Sequence, residues 1–407
     1  MSVAGKFASN TSGNVAIIFA LAATAIFSVV GLGVDFQRAV SAETDIQNAL
    51  DATTLAAAKA LHDPKNSNAD IQKEAKAVFR ANIGMANVNL VCPDPTLSVD
   101  RQSGRIAANI TCALPTTIAG LFSLEKMDVS RSSTSAIRIS NLDLAMMLDV
   151  SGSMSGSKIR DLKTASKDAI DILITPYSGD RVRIGFNTYS TAVNIGDYAK
   201  EVKGSAYDKK SPLRHCVTER DGIAKFDDDA PGTGKYLQET MISTDGKVMS
   251  CPKSSIEPLT SNATKLKNEI SKLNANGWTA GHLGVAWAWY LISPDWEKIW
   301  PAASKPLGYD EVDTIKAVIL MTDGEFNTYY ESGQGDSDRQ AEKLCDNMKR
   351  EGVIVYSVAF QAPKAGKKIL QTCATDKDHF YEARNGQQLR DAYAEIASQL
   401  TNLRIAS

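Results

Sequence analysis

The stretch that decides the fold reads NLDLAMMLDVSGSMSGS and runs from Asn141 to Ser157. Its apolar run, Leu142 to Leu148, is too short for a soluble helix and has the length of a strand that is buried on both faces. A small-residue turn then leads into a helical pattern from Ile159 to Leu173. The sequence therefore predicts an α/β fold, with a doubly wound, mostly parallel sheet that has helices on both faces.

Oxygen-bearing side chains follow this strand at its carboxyl end. Asp149 comes first, and Ser151 and Ser153 follow at alternate positions. Thr279 stands in a turn before a later helix, and Asp323 follows a second apolar strand. Ligand sites of open parallel sheets lie beyond the carboxyl ends of the strands, so we expect these five side chains to converge. Their hydroxyl and carboxylate oxygens suit a small, hard cation such as Mg²⁺.

Together these five residues resemble the metal-ion-dependent adhesion site of von Willebrand factor A domains, and the resemblance covers the last two-thirds of the chain. It implies that Ser151, Ser153 and Thr279 bind the metal directly. It implies that Asp149 and Asp323 bind mainly through water. Mg²⁺ is the implied cofactor, with Mn²⁺ or Ca²⁺ as alternatives, and one metal position stays open for a partner's carboxylate. For the DVSGS motif alone, an ordinary strand-to-helix turn with a serine cap is the alternative.

Composition limits the partners and the compartment. The chain has 407 residues, enough for two or three domains, and its net charge of −2 gives no reason to expect nucleic acid. The six cysteines have no CxxC spacing, which disfavours closed zinc sites and favours disulfides if the chain leaves the cytosol. Of the 15 possible pairings, expected proximity suggests Cys92 with Cys112, Cys216 with Cys251, and Cys345 with Cys373.

The segment Val15 to Val34 carries no charge over twenty residues. As a helix it would span roughly 30 Å, one hydrocarbon core, so it predicts a single-pass membrane anchor. A cleaved signal peptide is the alternative, since Val40 and Ala42 could serve a peptidase, but the apolar core is long and that site is late. The sparse flanking charges place residues 1–14 in the cytoplasm and the rest outside.

Further boundaries follow from changes of pattern. Residues 35–85 are predicted as a helical stalk, whose alanine-rich part either continues the membrane helix or packs on another helix, as in a homo-oligomer. Residues 86–140 alternate like short strands and predict a small β-rich module. Residues 141–407 form the α/β domain. Within it, residues 197–258 are polar and break the α/β rhythm, so we expect a surface insertion that determines specificity.

The first sixty residues resemble the N-terminal module of TadG-type proteins of the tight-adherence (Tad, or Flp) pilus-assembly system. The residues that carry this resemblance are Gly13, Ala16, Phe19, Ala20, Leu21, Gly33, Asp35, Gln47, Asn48, Ala49, Asp51, Ala52, Leu55 and Ala56. It implies a protein of the bacterial inner membrane, with its bulk in the periplasm and with pilus or secretion-machine proteins as partners. Related pilin-like proteins have a glutamate where Ile18 stands here, which disfavours prepilin-peptidase cleavage after Gly13.

Three functions follow from these features. The first is a non-enzymatic assembly protein whose Mg²⁺ binds an acidic residue of a partner protein. The second is a surface adhesin that binds host or matrix proteins through the same site. The third, an aspartyl-phosphate hydrolase with Asp149 as nucleophile, is disfavoured because Ser151 stands where a second aspartate is needed. His282 has no evident orienting partner in the sequence and is expected to be structural.

Overall fold

The structure is a computed structural model. It describes residues 14–61, 66–85, 89–101, 103–137, 139–220, 222 and 224–406. The chain divides into two compact units, Met1–Ile137 and Arg138–Ser407. The segment predicted to be cytoplasmic lies outside the described residues, except for Asn14.

The N-terminal unit combines helices with a small antiparallel sheet. Its elements are α1 (Asn14–Leu61), α2 (Asn68–Ile83), β1 (Thr96–Asp100), β2 (Arg105–Pro115), a 3₁₀ turn (Ala119–Phe122) and β3 (Lys126–Ala136). The strands pair antiparallel in the order β1-β2-β3. Helix α2 begins with a capping box, in which Ser67 and Asp70 each accept a hydrogen bond from the other's backbone N–H.

Helix α1 has two parts that differ in burial. From Gly31 onward, buried residues recur every three or four positions, as at Asp35, Ala39 and Ala42, which is the period of a helix with one packed face. This face joins the core formed by β2 and β3. The residues predicted as a stalk and those predicted as a β-rich module thus lie together in one unit. Before Gly31 the apolar side chains are exposed, and α1 as a whole contains an apolar stretch long enough to cross a membrane.

The C-terminal unit is built around a larger sheet. Its strands are β4 (Asn141–Asp149), β5 (Val182–Tyr189), β6 (Val193–Asn194), β7 (Cys216–Val217), β8 (Glu257–Thr260), β9 (Thr314–Thr322), β10 (Ile354–Phe360) and β11 (Phe380–Ala383). Its helices are α3 (Ser157–Leu173), α4 (Ala199–Lys203), α5 (Ala263–Ser271), α6 (Gly281–Ile292), α7 (Ser337–Arg350), α8 (Lys364–Cys373) and α9 (Gly386–Ala406). The strand order among these residues is β11-β10-β9-β4-β5-β6-β7, with β8 paired to β5.

The sheet is mostly parallel, because β4, β5, β9, β10 and β11 run in one direction and only β6, β7 and β8 pair antiparallel. Residues of α6, α7 and α8 form the core on one face, and residues of α3, α5 and α9 form the core on the other. Met147 faces the first core and Met146 the second, as expected for a strand buried on both sides. The predicted doubly wound α/β fold is confirmed.

The three disulfides of the structure are the three predicted pairs. They join Cys92 to Cys112, Cys216 to Cys251, and Cys345 to Cys373. The last pair links α7 to α8, which pack on the same face of the sheet. The second closes a loop within residues 197–258, and this segment also contributes α4 and β7 to the unit.

Candidate metal centre

Two buried carboxylates lie at the carboxyl ends of neighbouring parallel strands. Asp149 ends β4 and Asp323 directly follows β9, and the two side chains belong to residues that are 0% and 3% exposed. Burial and the neighbouring Asp323 carboxylate raise the pKa of Asp149. Two buried carboxylates so close together favour a positive charge between them.

The two serines of the motif lie beside these carboxylates. The Ser151 and Ser153 hydroxyl oxygens are 3.0 Å apart, and the Ser153 hydroxyl donates to Asp323 Oδ1 at 2.5 Å. Neighbouring ligands of an octahedral Mg²⁺ with bonds of about 2.1 Å are about 3.0 Å apart. The spacing of the two hydroxyls therefore fits adjacent positions on such an ion.

Asp149 is held in place by the backbone of Ser151 and by two hydroxyls that the sequence analysis did not single out. Its Oδ1 accepts the Ser151 N–H at 2.8 Å, and its Oδ2 accepts the hydroxyls of Tyr189 at 3.0 Å and Thr322 at 2.7 Å. Burial raises the pKa of Tyr189 well above its usual value, so its hydroxyl remains a donor. Tyr189 and Thr322 are the last residues of β5 and β9, the strands on either side of β4. Their place beside the motif depends on strand order, which the sequence does not state.

Thr279 joins the site from the turn before α6. Its N–H donates to Asn327 Oδ1 at 3.2 Å. A Cβ built on Gly324 would lie 3.6 Å from the Thr279 hydroxyl and 3.7 Å from the Ser153 hydroxyl, so both hydroxyls lie on the same side of Gly324. Gly277 shapes the turn with φ 88°, a backbone conformation that favours glycine. The structure thus brings together all five predicted residues.

Among the residues that the structure describes, one cationic side chain reaches the site. Lys158 Nζ donates to Asp323 Oδ2 at 2.6 Å, and the lysine side chain is 22% exposed. The sequence analysis missed this residue, although it stands in the first turn of the helix that follows the motif. Lys158 balances one of the two carboxylates, which leaves the oxygen set with one negative charge.

The donor set suits a hard cation. In the parts of the chain that the structure describes, no group of three His, Cys, Asp or Glu side chains is placed to hold a metal ion. A cation at this site would therefore depend on the serine and threonine hydroxyls together with the two carboxylates. Such all-oxygen sets are typical of Mg²⁺, Ca²⁺ and Mn²⁺, and not of zinc or copper.

The insertion contacts the rim of this site through the hairpin 241–249. Lys247 Nζ donates to the Asn327 carbonyl at 2.6 Å and lies 4.7 Å from the centre of the Trp278 ring. Asn327 also accepts the Thr279 N–H, so a single residue connects the hairpin to a candidate ligand. The insertion is thereby fixed at the edge of the site.

Apolar side chains are exposed at this rim. Four of them, between 45% and 65% exposed, form what we call the rim patch: Met241, Ile242, Val248 and Trp278. Ile242 and Val248 are bridged across the hairpin, and Trp278 directly precedes Thr279. Neighbouring exposed apolar side chains are typical of surfaces that contact other proteins.

The expectation for His282 needs a correction. Its Nε2 lies 2.8 Å from Glu219 Oε1, and its Nδ1 lies 2.6 Å from the Ser337 hydroxyl, so the ring does have an orienting carboxylate. Glu219 also accepts the N–H groups of Tyr330 and Glu331. Ser337 is fully buried, and the group joins the insertion to α6 and α7.

Two segments of the chain match known family models. Residues 13–60 match the family model Tad, described as Flp pilus-assembly TadE/G-like. Residues 303–395 match the von Willebrand factor type A domain, a range that includes Asp323 but not the motif around Asp149. Both resemblances expected from the sequence are confirmed over these ranges, and the C-terminal unit has a von Willebrand factor A-like fold.

Solved structures with related folds include proteins from bacteria and from a mussel. The von Willebrand factor domain of the type V pili tip protein Mfa5 from Porphyromonas gingivalis is 12% identical, with 66% of this chain and 97% of that chain covered and a TM-score of 0.40. The pilus adhesin SpaC from Lactobacillus rhamnosus GG is 11% identical, with 77% of this chain and 33% of that chain covered and a TM-score of 0.40. A third structure is proximal thread matrix protein 1 from the mussel byssus, with a zinc-occupied MIDAS motif. It is 13% identical, with 65% of this chain and 46% of that chain covered and a TM-score of 0.34. No curated protein sequence matches the chain.

Proposed function

We propose that this chain is a membrane-anchored component of a Tad pilus or secretion machine that binds partner proteins through Mg²⁺ in its C-terminal unit. The observation that carries the proposal is the convergence of two buried carboxylates and three hydroxyls at the ends of β4 and β9. Only one protein cation, Lys158, contacts this set among the described ion pairs. The Tad match of residues 13–60 supports the pilus context.

Each residue of the set has a distinct task. Ser151, Ser153 and Thr279 would offer their hydroxyls directly to the metal. Asp149 and Asp323 would act mainly through water and supply the balancing charge. When bound, Mg²⁺ would supply an open position for a carboxylate of the partner protein, and Mn²⁺ or Ca²⁺ are alternatives at the same oxygens.

The rim patch would give the interaction its specificity. A carboxylate alone does not distinguish one acidic protein from another, whereas an apolar surface next to it selects for shape. We therefore expect the partner to place an acidic residue at the metal and apolar side chains against Ile242, Val248 and Trp278. The insertion is then the element that selects the partner.

The N-terminal unit supports a location in the inner membrane. Helix α1 would cross the inner membrane with Val15–Val34, leaving residues 1–14 in the cytoplasm and the remainder in the periplasm. The three disulfides support an oxidising compartment for the part after the span.

A binding role fits the site better than catalysis. A phosphoaspartate mechanism at Asp149 would need a free acid or base nearby. Ser151 and Tyr189 offer only hydroxyls, and the neighbouring Asp323 carboxylate is already bound by the Ser153 hydroxyl and the Lys158 ammonium. The other candidate trio, Ser337 with His282 and Glu219, buries its hydroxyl away from any substrate.

A capture experiment tests the metal-dependent role. The full-length chain in detergent is used to capture proteins from membranes of the source cell, with Mg²⁺, with EDTA, and as Asp149→Ala with Mg²⁺. Asp346→Ala is the matched control, because Asp346 is 54% exposed on α7 outside the site. We expect pilus components to be retained only by the wild type and Asp346→Ala with Mg²⁺. Equal retention in every arm would refute the metal-dependent role.

A second experiment tests the rim patch. The double substitution Ile242→Ser and Val248→Ser changes two exposed side chains, so the fold should be retained. Val312→Ser is the control, because Val312 is also exposed but precedes the start of β9, at the end of the strand opposite to Asp323. We expect the double variant to lose partner capture about 10-fold while it binds Mg²⁺ normally. Unchanged capture would show that the insertion does not select the partner.

A further inference from the structure

A second apolar surface lies on the N-terminal unit, in a loop beside the last turn of the apolar segment of α1. Residues 118–124, which we call the anchor loop, read IAGLFSL and carry no charge. Leu121 is 79% exposed and Leu124 is 50% exposed. Exposed leucines in an uncharged loop beside an apolar helix segment form a small apolar surface that is suited to contact with a membrane.

The loop is fixed against α1 within the predicted membrane span. A Cβ on Gly31 would overlap the side chain of Ile118, so the loop and the helix are in direct contact there. Gly31 lies four residues before Asp35, which is about 6 Å along a helix. The contact is therefore about one turn inside the apolar segment that ends at Val34.

Asp35 holds the loop in this position by hydrogen bonds, and we call it the clip of the loop. Its carboxylate accepts the N–H groups of Thr117 at 2.9 Å, Ile118 at 2.9 Å and Ala119 at 2.8 Å. Burial acts to raise the pKa of Asp35, but these three backbone hydrogen bonds lower it to about 2. Arg38 adds hydrogen bonds to Asp35 and to the Thr117 hydroxyl. The first carboxylate after the span is thus used to hold the loop.

The loop backbone also suits a medium that is poor in water. The N–H groups of Leu121, Ser123 and Leu124 donate to carbonyls within the loop, at 3.0 to 3.2 Å. Together with the N–H groups bound to Asp35, they leave few backbone donors that need solvent. Satisfied backbone groups and exposed apolar side chains are the requirements for entering a membrane interface.

We propose that the anchor loop enters the interface of the membrane that α1 crosses and forms a second attachment point of the N-terminal unit. This rests on the proposed membrane anchoring of α1. The occupant is the lipid boundary of the outer leaflet, because the loop is continuous with the end of the apolar segment and contacts it at Gly31. Interfacial segments reach about 5–10 Å into the boundary, which matches one helical turn. A clipped loop of this kind would fix the tilt and rotation of α1 relative to the membrane.

Site-directed spin labelling of the full-length chain in vesicles of phosphatidylethanolamine and phosphatidylglycerol tests this. Every native cysteine is in a disulfide, so single cysteines at Ile26, Leu121 and Thr134 can be labelled selectively. Ile26 reports on the span, and Thr134 reports on the exposed face of β3. We expect the oxygen-to-nickel accessibility ratio to be highest at residue 26, several-fold lower at 121, and lowest at 134.

The outcomes separate the loop from the anchor. If residue 26 lies in lipid and residue 121 is as accessible to nickel as residue 134, the loop proposal is overturned and the anchor stands. If residue 26 is also in water, both proposals fail. In Asp35→Ala labelled at residue 121, the oxygen accessibility should fall toward that of residue 134, whereas the label at residue 26 should not change. An unchanged signal at residue 121 would refute the role of Asp35 as the clip.

Discussion

Two buried aspartates, one in each unit, differ in how the protein compensates their charge. Asp35 is 2% exposed and accepts three backbone N–H groups, which lower its pKa to about 2 although burial acts to raise it. Asp149 is 0% exposed and accepts hydrogen bonds as well, but it lies beside Asp323, and burial and this neighbour raise its pKa. The fold itself stabilises the charge of Asp35, whereas Asp149 has a net negative neighbourhood. Burial of a carboxylate alone is therefore no sign of a metal site, and it is the uncompensated charge at Asp149 that supports the proposed one.

The largest difference between Asp149 and Asp35 should appear in the affinity for Mg²⁺. Asp149→Ala should weaken Mg²⁺ binding by about 100-fold, because it removes charge and a water-mediated contact from the site. Asp35→Ala should leave the affinity unchanged. Isothermal titration calorimetry of the full-length chain in detergent measures both. Equal affinities of wild type and Asp149→Ala would mean that these oxygens are not the metal site.

The free energy of unfolding should respond more strongly to Asp35→Ala than to Asp149→Ala. Asp35→Ala should destabilise the N-terminal unit by about 2–3 kcal/mol, because it leaves buried N–H groups without an acceptor. Without metal, Asp149→Ala should cost much less, since it also removes the repulsion with Asp323. Amide hydrogen exchange reports on each unit separately. Asp128→Ala, at an exposed carboxylate on β3, is the control and should change exchange little. Equal loss of protection in both aspartate variants would contradict the comparison.

Lowering the pH should distinguish Asp35, which holds the anchor loop, from an ordinary surface carboxylate. The folded pKa of Asp35, about 2, is below its usual value of 3.8, so its stabilising contribution is complete above pH 4 and is lost as the pH falls toward 2. Exchange of residues 35–61, corrected for the intrinsic effect of pH, should therefore accelerate below pH 4 in the wild type. Asp35→Asn should lack the part of this acceleration that comes from Asp35. The same acid profile in both proteins would exclude Asp35 as its origin.

The smallest effect should come from Lys158, the lysine at the candidate metal centre. Lys158 is 22% exposed and contacts Asp323, so it competes with a cation for this carboxylate, but solvent weakens the competition. Lys158→Met should tighten Mg²⁺ binding about fivefold, which corresponds to about 1 kcal/mol. Lys163→Met, one and a half turns along the same helix, is a suitable control. Weaker Mg²⁺ binding by Lys158→Met would show that the ammonium supports the site instead of competing with it.

Much of the C-terminal unit could be predicted because its signals are local. The apolar run Leu142 to Leu148 predicted a buried parallel strand, and β4 is that strand. The spacing of Ser151 and Ser153 after Asp149 predicted neighbouring oxygens, and their hydroxyls are 3.0 Å apart. Parallel sheets bring strand ends together at one edge, which is why Asp323 could be added from a distant segment.

The groups that complete each site were not predictable in this way. Tyr189 reaches Asp149 because β5 is the neighbour of β4, and His282 reaches Glu219 across 63 positions of sequence. Neither Tyr189 nor His282 belongs to a motif, and no periodic pattern in the sequence predicts which strand or loop these side chains contact. The expectation that His282 has no orienting partner was wrong for this reason.

The sequence by itself predicted the α/β class, the apolar segment Val15 to Val34 and the oxygen-bearing motif, and it suggested the three cysteine pairs. Each of these depends on periodicity, composition or the short reach between neighbouring elements. Only the tertiary structure decided what happens to individual charges. Asp35 lies 83 positions before Ile118, and its role as a clip exists only because the loop packs against Gly31. A buried charge is stabilised or left uncompensated by the groups within a few ångströms of it, and packing between distant segments selects those groups.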